Sequence, residues 1–284
     1  MEIIHTIAAL RERTDAWRTK GLRQALAPTM GNLHAGHLDL VVAARKTADR
    51  VVASIFVNPT QFGPGEDFET YPRTLEADSA QLRMAGVDLL FAPSLDEMYP
   101  HGRKTLTVVD MPTLSRLLCG RHRPGHFPGV VTIVSKLFNL CSPDVALFGE
   151  KDFQQLVLVR QLVQDLDFAV EIQSVPIRRE QDGLAMSSRN RYLSSEERRQ
   201  APRLYETLRE LAARIRAGDH QYAGLEQLGE DSLRKAGFRP DYVAIRSTAD
   251  LLPPSFWEEQ TKEDLVVLAA ACLGKARLID NIRA

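Results

Sequence analysis

Two histidines three residues apart, His34 and His37, stand in the stretch Ala27-Pro28-Thr29-Met30-Gly31-Asn32-Leu33-His34-Ala35-Gly36-His37. Ala25 to Ala27 read as the end of a short strand, and Leu38, Leu40, Val41, Val42 and Ala43 then give an apolar face at helical spacing. On a first helical turn, positions i and i+3 share a face. Gly36 between them leaves the backbone open to something large. The free N–H groups and positive end of a helix start attract an anion, and two imidazoles beside them add donors. Such a turn suits a phosphate whose charge changes. A His-x-x-His pair is also half a zinc site, but no third His or Cys follows at ligand spacing, so no metal ligand set is expected. Two surface histidines would satisfy so short a pattern equally well, and the reading depends on the rest of the chain.

Further polar groups fall where strands end. Gly149-Glu150-Lys151-Asp152 puts a lysine where strand gives way to helix, within reach of phosphate oxygens, although a solvated Lys–Asp pair would look the same. Met186-Ser187-Ser188-Arg189 offers two hydroxyls, backbone donors and a guanidinium; alone it is also an ordinary turn with an N-cap serine. Gln61 and Gln155 are neutral donor–acceptors suited to hydroxyls and carboxylates. Arg123-Pro124-Gly125-His126 reads as a rigid turn that carries a charge for a phosphate tail. A dinucleotide-binding G-x-G-x-x-G, a P-loop and a G-x-S-x-G are all missing, which argues against a dehydrogenase, a P-loop route to ATP and acyl-enzyme chemistry.

The elements that must position these groups alternate. Thr6 caps a helix to about Lys20; Val51 to Val57 is a buried strand; a Gly- and Pro-rich loop runs from Asn58-Pro59 to Pro72. A helix over about 73–85, a strand over 87–91, a helix over 130–140, a strand over 145–148 and a helix through Gln154 and Leu162 follow. This alternation predicts an α/β sheet with parallel strands over residues 1–176. From 177 the rhythm changes: helices over about 195–217 and 222–236 precede strands near 242–247, 265–272 and 277–281. Residues 177–284 are therefore expected to form a smaller α+β domain.

Composition is that of a soluble globular protein, and the arginine clusters Arg121/Arg123 and Arg178/Arg179 suit a small polyanion. The 284 residues are 44% hydrophobic and 26% charged, with a net charge of −1. Residues 1–176 carry 18 basic against 20 acidic residues and residues 177–284 carry 18 against 17, so neither part is a basic nucleic-acid module. Cys119, Cys141 and Cys272 form no pairing motif and suit a reducing cytoplasm, and no secretory signal or membrane span is expected.

Taken in order, Pro28 to His37, Phe56-Val57-Asn58-Pro59-Thr60-Gln61-Phe62-Gly63-Pro64, Tyr71-Pro72-Arg73-Thr74, Arg123 to Phe127, Phe148 to Leu156, Asp182 to Asn190 and Arg277-Leu278-Ile279-Asp280-Asn281 resemble the pantothenate synthetase family, ligases that join pantoate to β-alanine with ATP. The resemblance spans nearly the whole chain. Ala276 replaces a usual Thr, and Cys141-Ser142 is also less usual; neither lies in a binding motif. The resemblance implies a Rossmann-like ATP- and pantoate-binding domain (1–176) and a C-terminal lid (177–284), in a cytoplasmic homodimer that uses ATP and Mg²⁺. It implies that His34, His37 and Lys151 act on the phosphates. Met30 to His37, Gly149 to Asp152, Arg178 and Met186 to Arg189 would hold the nucleotide, and Gln61 and Gln155 the pantoate. Condensing a carboxylate with an amine requires a leaving group, which an acyl-adenylate supplies; positioning and charge stabilisation then suffice without a nucleophilic side chain. The rivals are a nucleotidyltransferase that transfers AMP and stops, a tRNA-charging enzyme, and a non-catalytic nucleotide-binding module.

Overall fold

Thr6 opens the first helix by accepting the Ala9 N–H on its hydroxyl, and from there strand and helix alternate. The computed structural model describes residues 1–102, 105–254 and 264–284. Close contacts divide the chain into two compact units. The first comprises Met1–Arg116, Arg123–Glu150 and Leu158–Pro176; the second comprises Leu117–His122, Lys151–Val157 and Ile177–Ala284. Two short segments that chain order leaves with the N-terminal part thus group with the second unit.

Along the chain come β1 (Glu2–Ile4), α1 (Ile7–Thr19), β2 (Gln24–Thr29), α2 (Ala35–Thr47), β3 (Arg50–Ile55), α3 (Leu75–Met84), β4 (Leu89–Phe91) and α4 (Leu95–Met98). Next are α5 (Leu118–His122), α6 (His126–Cys141), β5 (Val145–Gly149), α7 (Phe153–Asp165) and β6 (Glu171–Val175). The six strands form one parallel sheet in the order β1-β4-β3-β2-β5-β6. The order runs outward in opposite directions from β2 and β5, and ligands of open parallel sheets bind beyond the strand ends at such a switch point. Ala25, Ala27 and Ala53 carry small side chains where Leu40, Val41 and Ala44 of α2 pack, so the helix that begins at the histidines lies close on the sheet.

The second unit contains α8 (Ser195–Gln200), α9 (Arg203–Arg216), α10 (Tyr222–Lys235) and an antiparallel sheet of β7 (Arg239–Ser247), β8 (Leu265–Leu273) and β9 (Ala276–Arg283). Leu204, Leu208 and Leu211 of α9 and Leu225 and Leu233 of α10 bury against Val243, Val267 and Ala269 of the sheet. The fold is thus a Rossmann-like parallel sheet plus a small α+β part.

Several local expectations change. β1 and β6 carry no readable strand pattern, one being three residues long and the other a partly exposed edge. The single helix expected over 195–217 is two, because Pro202 has no N–H to continue the ladder and instead caps α9. The helix expected from Val130 starts at His126, after Gly125 in the left-handed region.

Gly129 of α6 brings that helix onto the turn after β3. A Cβ there would lie 2.3 Å from the Thr60 carbonyl oxygen and 2.7 Å from the Gln61 nitrogen. Gly129→Ala is therefore expected to destabilise the chain by about 2 kcal/mol or more, an overpacking cost, in urea unfolding. A loss under about 0.5 kcal/mol would contradict this packing.

Candidate active site

The turn between β2 and α2 has two consecutive residues at positive φ, Gly31 at 81° and Asn32 at 50°. Left-handed backbone is easy for glycine and tolerable for asparagine. A Cβ on residue 31 would meet the Asp78 carboxylate at 3.0 Å and Ile55 at 3.1 Å. Asp78, buried on α3, holds this turn. Its Oδ2 accepts the Asn32 N–H at 2.8 Å and the Thr74 hydroxyl at 3.0 Å, and its Oδ1 accepts the Leu33 N–H at 2.9 Å. Thr29 adds a second anchor, donating to the Ser54 carbonyl at 2.8 Å while accepting the Gly31 N–H at 3.2 Å.

His34 then serves as the N-cap of α2, in extended conformation, and His37 occupies the third position of the helix. The His34 backbone N–H donates to His37 Nδ1 at 3.2 Å, and the two rings lie 4.0 Å apart between centroids. An Nδ1 that accepts carries no proton, so a neutral His37 has its proton on Nε2. One bond thus caps the helix and leaves the opposite ring nitrogen as a donor. Met30 and Asn32 to His37 are all half-buried, as a binding surface requires, and Gly31 is buried.

Gln61 lies beside this turn. It is buried in a 3-10 turn, Pro59–Gln61, that follows β3. Its Oε1 accepts from Asn58 Nδ2 at 3.1 Å, whereas its Nε2 meets only Met30 Sδ at 3.1 Å, a weak acceptor. The Nε2 end is therefore the one free to serve a substrate oxygen. Asn58, fully buried, also takes the Tyr99 hydroxyl at 2.8 Å and donates to the Gly129 carbonyl at 3.1 Å. A cavity of about 340 Å³ opens beside the turn, lined by Met30, Gly31, Phe56, Phe68, Thr74 and Asp78 among others, with neither glutamine on its wall.

Arg123 is committed to the protein. It forks onto Glu66 at 2.6 and 2.7 Å and donates to His126 Nε2 at 3.0 Å. His126 Nδ1 in turn donates to the Gln61 carbonyl at 2.8 Å. The rigid turn expected of Arg123 to His126 is present, and its charge is taken by Glu66: this relay fastens the loop after β3 to α6. Burial alone would raise the Glu66 pKa, but Arg123, a Gly63 amide and His126 carry it below the usual carboxylate range.

Gly149 and Glu150, at the end of β5, belong to the first unit, where Glu150 accepts the Ser174 hydroxyl at 2.9 Å. Lys151, Asp152 and Gln155 group with the second unit, as do Arg178 and Met186 to Arg189. There the Met186 N–H donates to the Arg178 carbonyl at 2.9 Å, closing a hairpin whose bend lies at 180–183. Ser187 accepts the Arg189 N–H at 3.2 Å and opens a 3-10 turn, Ser188–Tyr192. Asp78, Asn58, Glu66, Asp280 and Asn281 have no assignment from sequence. Thr74 and the terminal Asp280-Asn281 lie within motifs that pointed at them.

Two outcomes check this geometry. Asp78→Asn leaves one acceptor oxygen for three donors, each worth about 1.5–3 kcal/mol toward a charged group, so urea unfolding should show a loss near 3 kcal/mol. A loss below about 1 kcal/mol would mean the turn holds itself. The second concerns pH. A carboxylate with a depressed folded pKa contributes stability that is complete above its unfolded value and disappears as pH falls through the folded one. Amide protection over residues 62–72 should therefore persist from neutral pH to about pH 5, whereas Glu66→Gln should lose it at both. Equal protection in the two proteins would show that the Arg123 pair does not order the loop.

Residues 2–283 match the family model described as pantoate-beta-alanine ligase. The chain is 55% identical to a pantothenate synthetase of Thioalkalivibrio sulfidiphilus and 54% to that of Stutzerimonas stutzeri, covering 99% of this chain and 97% of each relative. Among solved structures it resembles pantothenate synthetase from Thermus thermophilus, with TM-score 0.88, 49% identity and 99% of both chains covered. The pantoate-beta-alanine ligase of Francisella tularensis, crystallised with beta-gamma ATP and beta-alanine, superimposes with TM-score 0.81 at 33% identity, over 99% of this chain and 97% of that one. A signature turn held by a buried carboxylate at the switch point of this sheet, and likeness over essentially its full length, place the chain in the pantoate–β-alanine ligase family.

Proposed function

We propose that this chain condenses pantoate with β-alanine at the expense of ATP, through a pantoyl-adenylate. The observation that carries the proposal is the His34–His37 turn, pinned by Asp78 in a chain that matches the ligase family from residue 2 to 283. A pantoate carboxylate oxygen attacks the α-phosphorus of ATP. The bond from that phosphorus to the bridging oxygen breaks, and pyrophosphate leaves with the electron pair. The amine of β-alanine then attacks the acyl carbon, AMP departs, and the amine proton passes to solvent.

Each step asks the protein for placement and charge, the two things this site is built to supply. His37 Nε2–H donates to the phosphates and to the departing pyrophosphate, and His34 lies against it. Lys151 neutralises charge as it accumulates. Arg178 and Met186 to Arg189 complete the nucleotide contacts, with Gly149 to Asp152. Gln61, through Nε2, and Gln155 hold pantoate. The nucleotide enters as its magnesium complex. Both Asp78 oxygens are already engaged, and among the described residues no group of three or more His, Cys, Asp or Glu side chains gathers. Mg²⁺, when bound with the nucleotide, would be held mainly by the phosphates and would offset their charge. The same proposal takes residues 1–176 as the ATP- and pantoate-binding domain and 177–284 as a lid, in a cytoplasmic homodimer, on the strength of the family resemblance. No helix of the described residues is long and apolar enough to cross a membrane.

The order of steps gives a sharp test. With Mg²⁺ and pantoate but no β-alanine, the enzyme should exchange labelled pyrophosphate into ATP. His37→Ala should suppress this exchange. Lys151→Ala should lower it by about 10²–10³, the usual loss when one well-placed charge-stabilising donor is removed. Exchange without pantoate would revive the nucleotidyltransferase reading, and exchange only with β-alanine present would overturn the adenylate order.

A further inference from the structure

The terminal stretch Arg277-Leu278-Ile279-Asp280-Asn281 contributes nothing to the roles above, yet its last two residues are buried at 3% and 5% exposure. Both lie on β9, and both reach other parts of the second unit. Asp280 takes a two-pronged contact from Arg179, at 2.6 and 2.9 Å. The Arg179 guanidinium lies 3.5 Å from the centre of the Tyr205 ring and also donates to the Gly183 carbonyl at 3.0 Å. Arg179 therefore anchors the hairpin that carries Arg178 and Met186.

Asn281 is clamped by the same pair. Its N–H donates to Asp280 Oδ1 at 2.8 Å, and its carbonyl accepts from Arg179 at 3.2 Å. With its backbone so fixed, its side chain donates from Nδ2 to the carbonyl oxygen of Lys151 at 3.1 Å. That bond orients the peptide plane after Lys151, and with it the direction in which the lysine side chain leaves the backbone. A lysine has four rotatable bonds, so a fixed root narrows the volume its ammonium searches.

We infer that Asn281, held by the Arg179–Asp280 pair, is a positioning residue for Lys151, and that the pair sets Lys151 and the Arg178–Met186 hairpin in register with each other. Charge supports the arrangement. The Asp280 carboxylate is matched by the Arg179 guanidinium through two hydrogen bonds. Burial drives the Asp280 pKa up, against the pull of Arg179, so the site maintains a charged pair in a place that resists one. The inference rests on the role proposed for Lys151.

The test is a double-mutant cycle read by pantoate-dependent pyrophosphate exchange. Asn281→Ala should lower the maximal exchange rate about tenfold with the pantoate requirement changed less than about twofold, since pantoate is not its partner. Asn281→Asp, the same size but with no N–H to donate, should lose as much. In a Lys151→Ala background either change should cost less than about twofold more, because residues acting through one another are not additive. Melting curves confirm that each variant is folded at the assay temperature. A full tenfold loss persisting in the Lys151→Ala background would show a merely structural role and overturn the inference, as would wild-type exchange in Asn281→Ala. Either result leaves the ligase reading standing, whereas a wild-type chain with no pantoate-dependent exchange removes both.

Discussion

The carboxylate of Asp78 is the interaction on which the first unit's chemistry depends. Two successive left-handed residues cost conformational energy, small at Gly31 and about 1 kcal/mol or more at Asn32. Two backbone N–H groups and a hydroxyl converging on one buried carboxylate offset that cost with charge-assisted bonds. The result is a turn that cannot relax without leaving a buried charge unsatisfied. It ends at His34, so the rigidity passes directly into the start of α2. A salt bridge or an apolar plug in place of Asp78 would not do the same, because neither presents two oxygens to consecutive amides.

The histidine pair carries that rigidity into the first turn of the helix. An ordinary N-cap uses a side-chain oxygen to accept helix N–H groups. Here His37, one turn into the helix, accepts the N–H of the capping residue itself. The bond selects a tautomer and orients the ring. A hydroxyl or carboxylate at the same place would cap as well, but a carboxylate would repel a phosphate and a hydroxyl would not reach as far. The alanines under α2 serve the same end, since a helix held close to the sheet keeps its first turn over the strand ends.

Much of this was legible in the sequence, for stated physical reasons. The histidine turn, the strand ends and the change of rhythm near residue 177 all rest on short-range pattern, and pattern survives without a structure. Helix starts at Thr6 and Ala35 follow from capping and periodicity in the same way. What pattern does not encode is long-range pairing. Asp78 meets its amides 45 and 46 residues away, and Asn281 meets Lys151 across 130. An aspartate in a polar helix start reads as surface, and the structure shows it buried. Arg123 fails in the opposite sense. Its type suggests an anion ligand, but a glutamate 57 residues earlier in the chain takes it. β1 is missed because three residues cannot show a period.

Each unit, then, contains a buried carboxylate with several donors converging on it: backbone amides and a hydroxyl at Asp78 in the first, a guanidinium and a backbone amide at Asp280 in the second. Buried charge is a poor way to gain stability, since apolar packing of the same volume does as well or better. It is a good way to reject alternatives, because a misplaced turn or hairpin would strand a charge. Ligation through an adenylate makes that trade reasonable. The ligation proposed above asks for no nucleophilic side chain, so its rate would come from where donors and cations stand when charge moves. A core of leucine and valine would tolerate shifts of the hairpin or the histidine turn at little cost; the two carboxylates do not. Among the described residues, the buried carboxylates stand where the histidine turn and the hairpin are held.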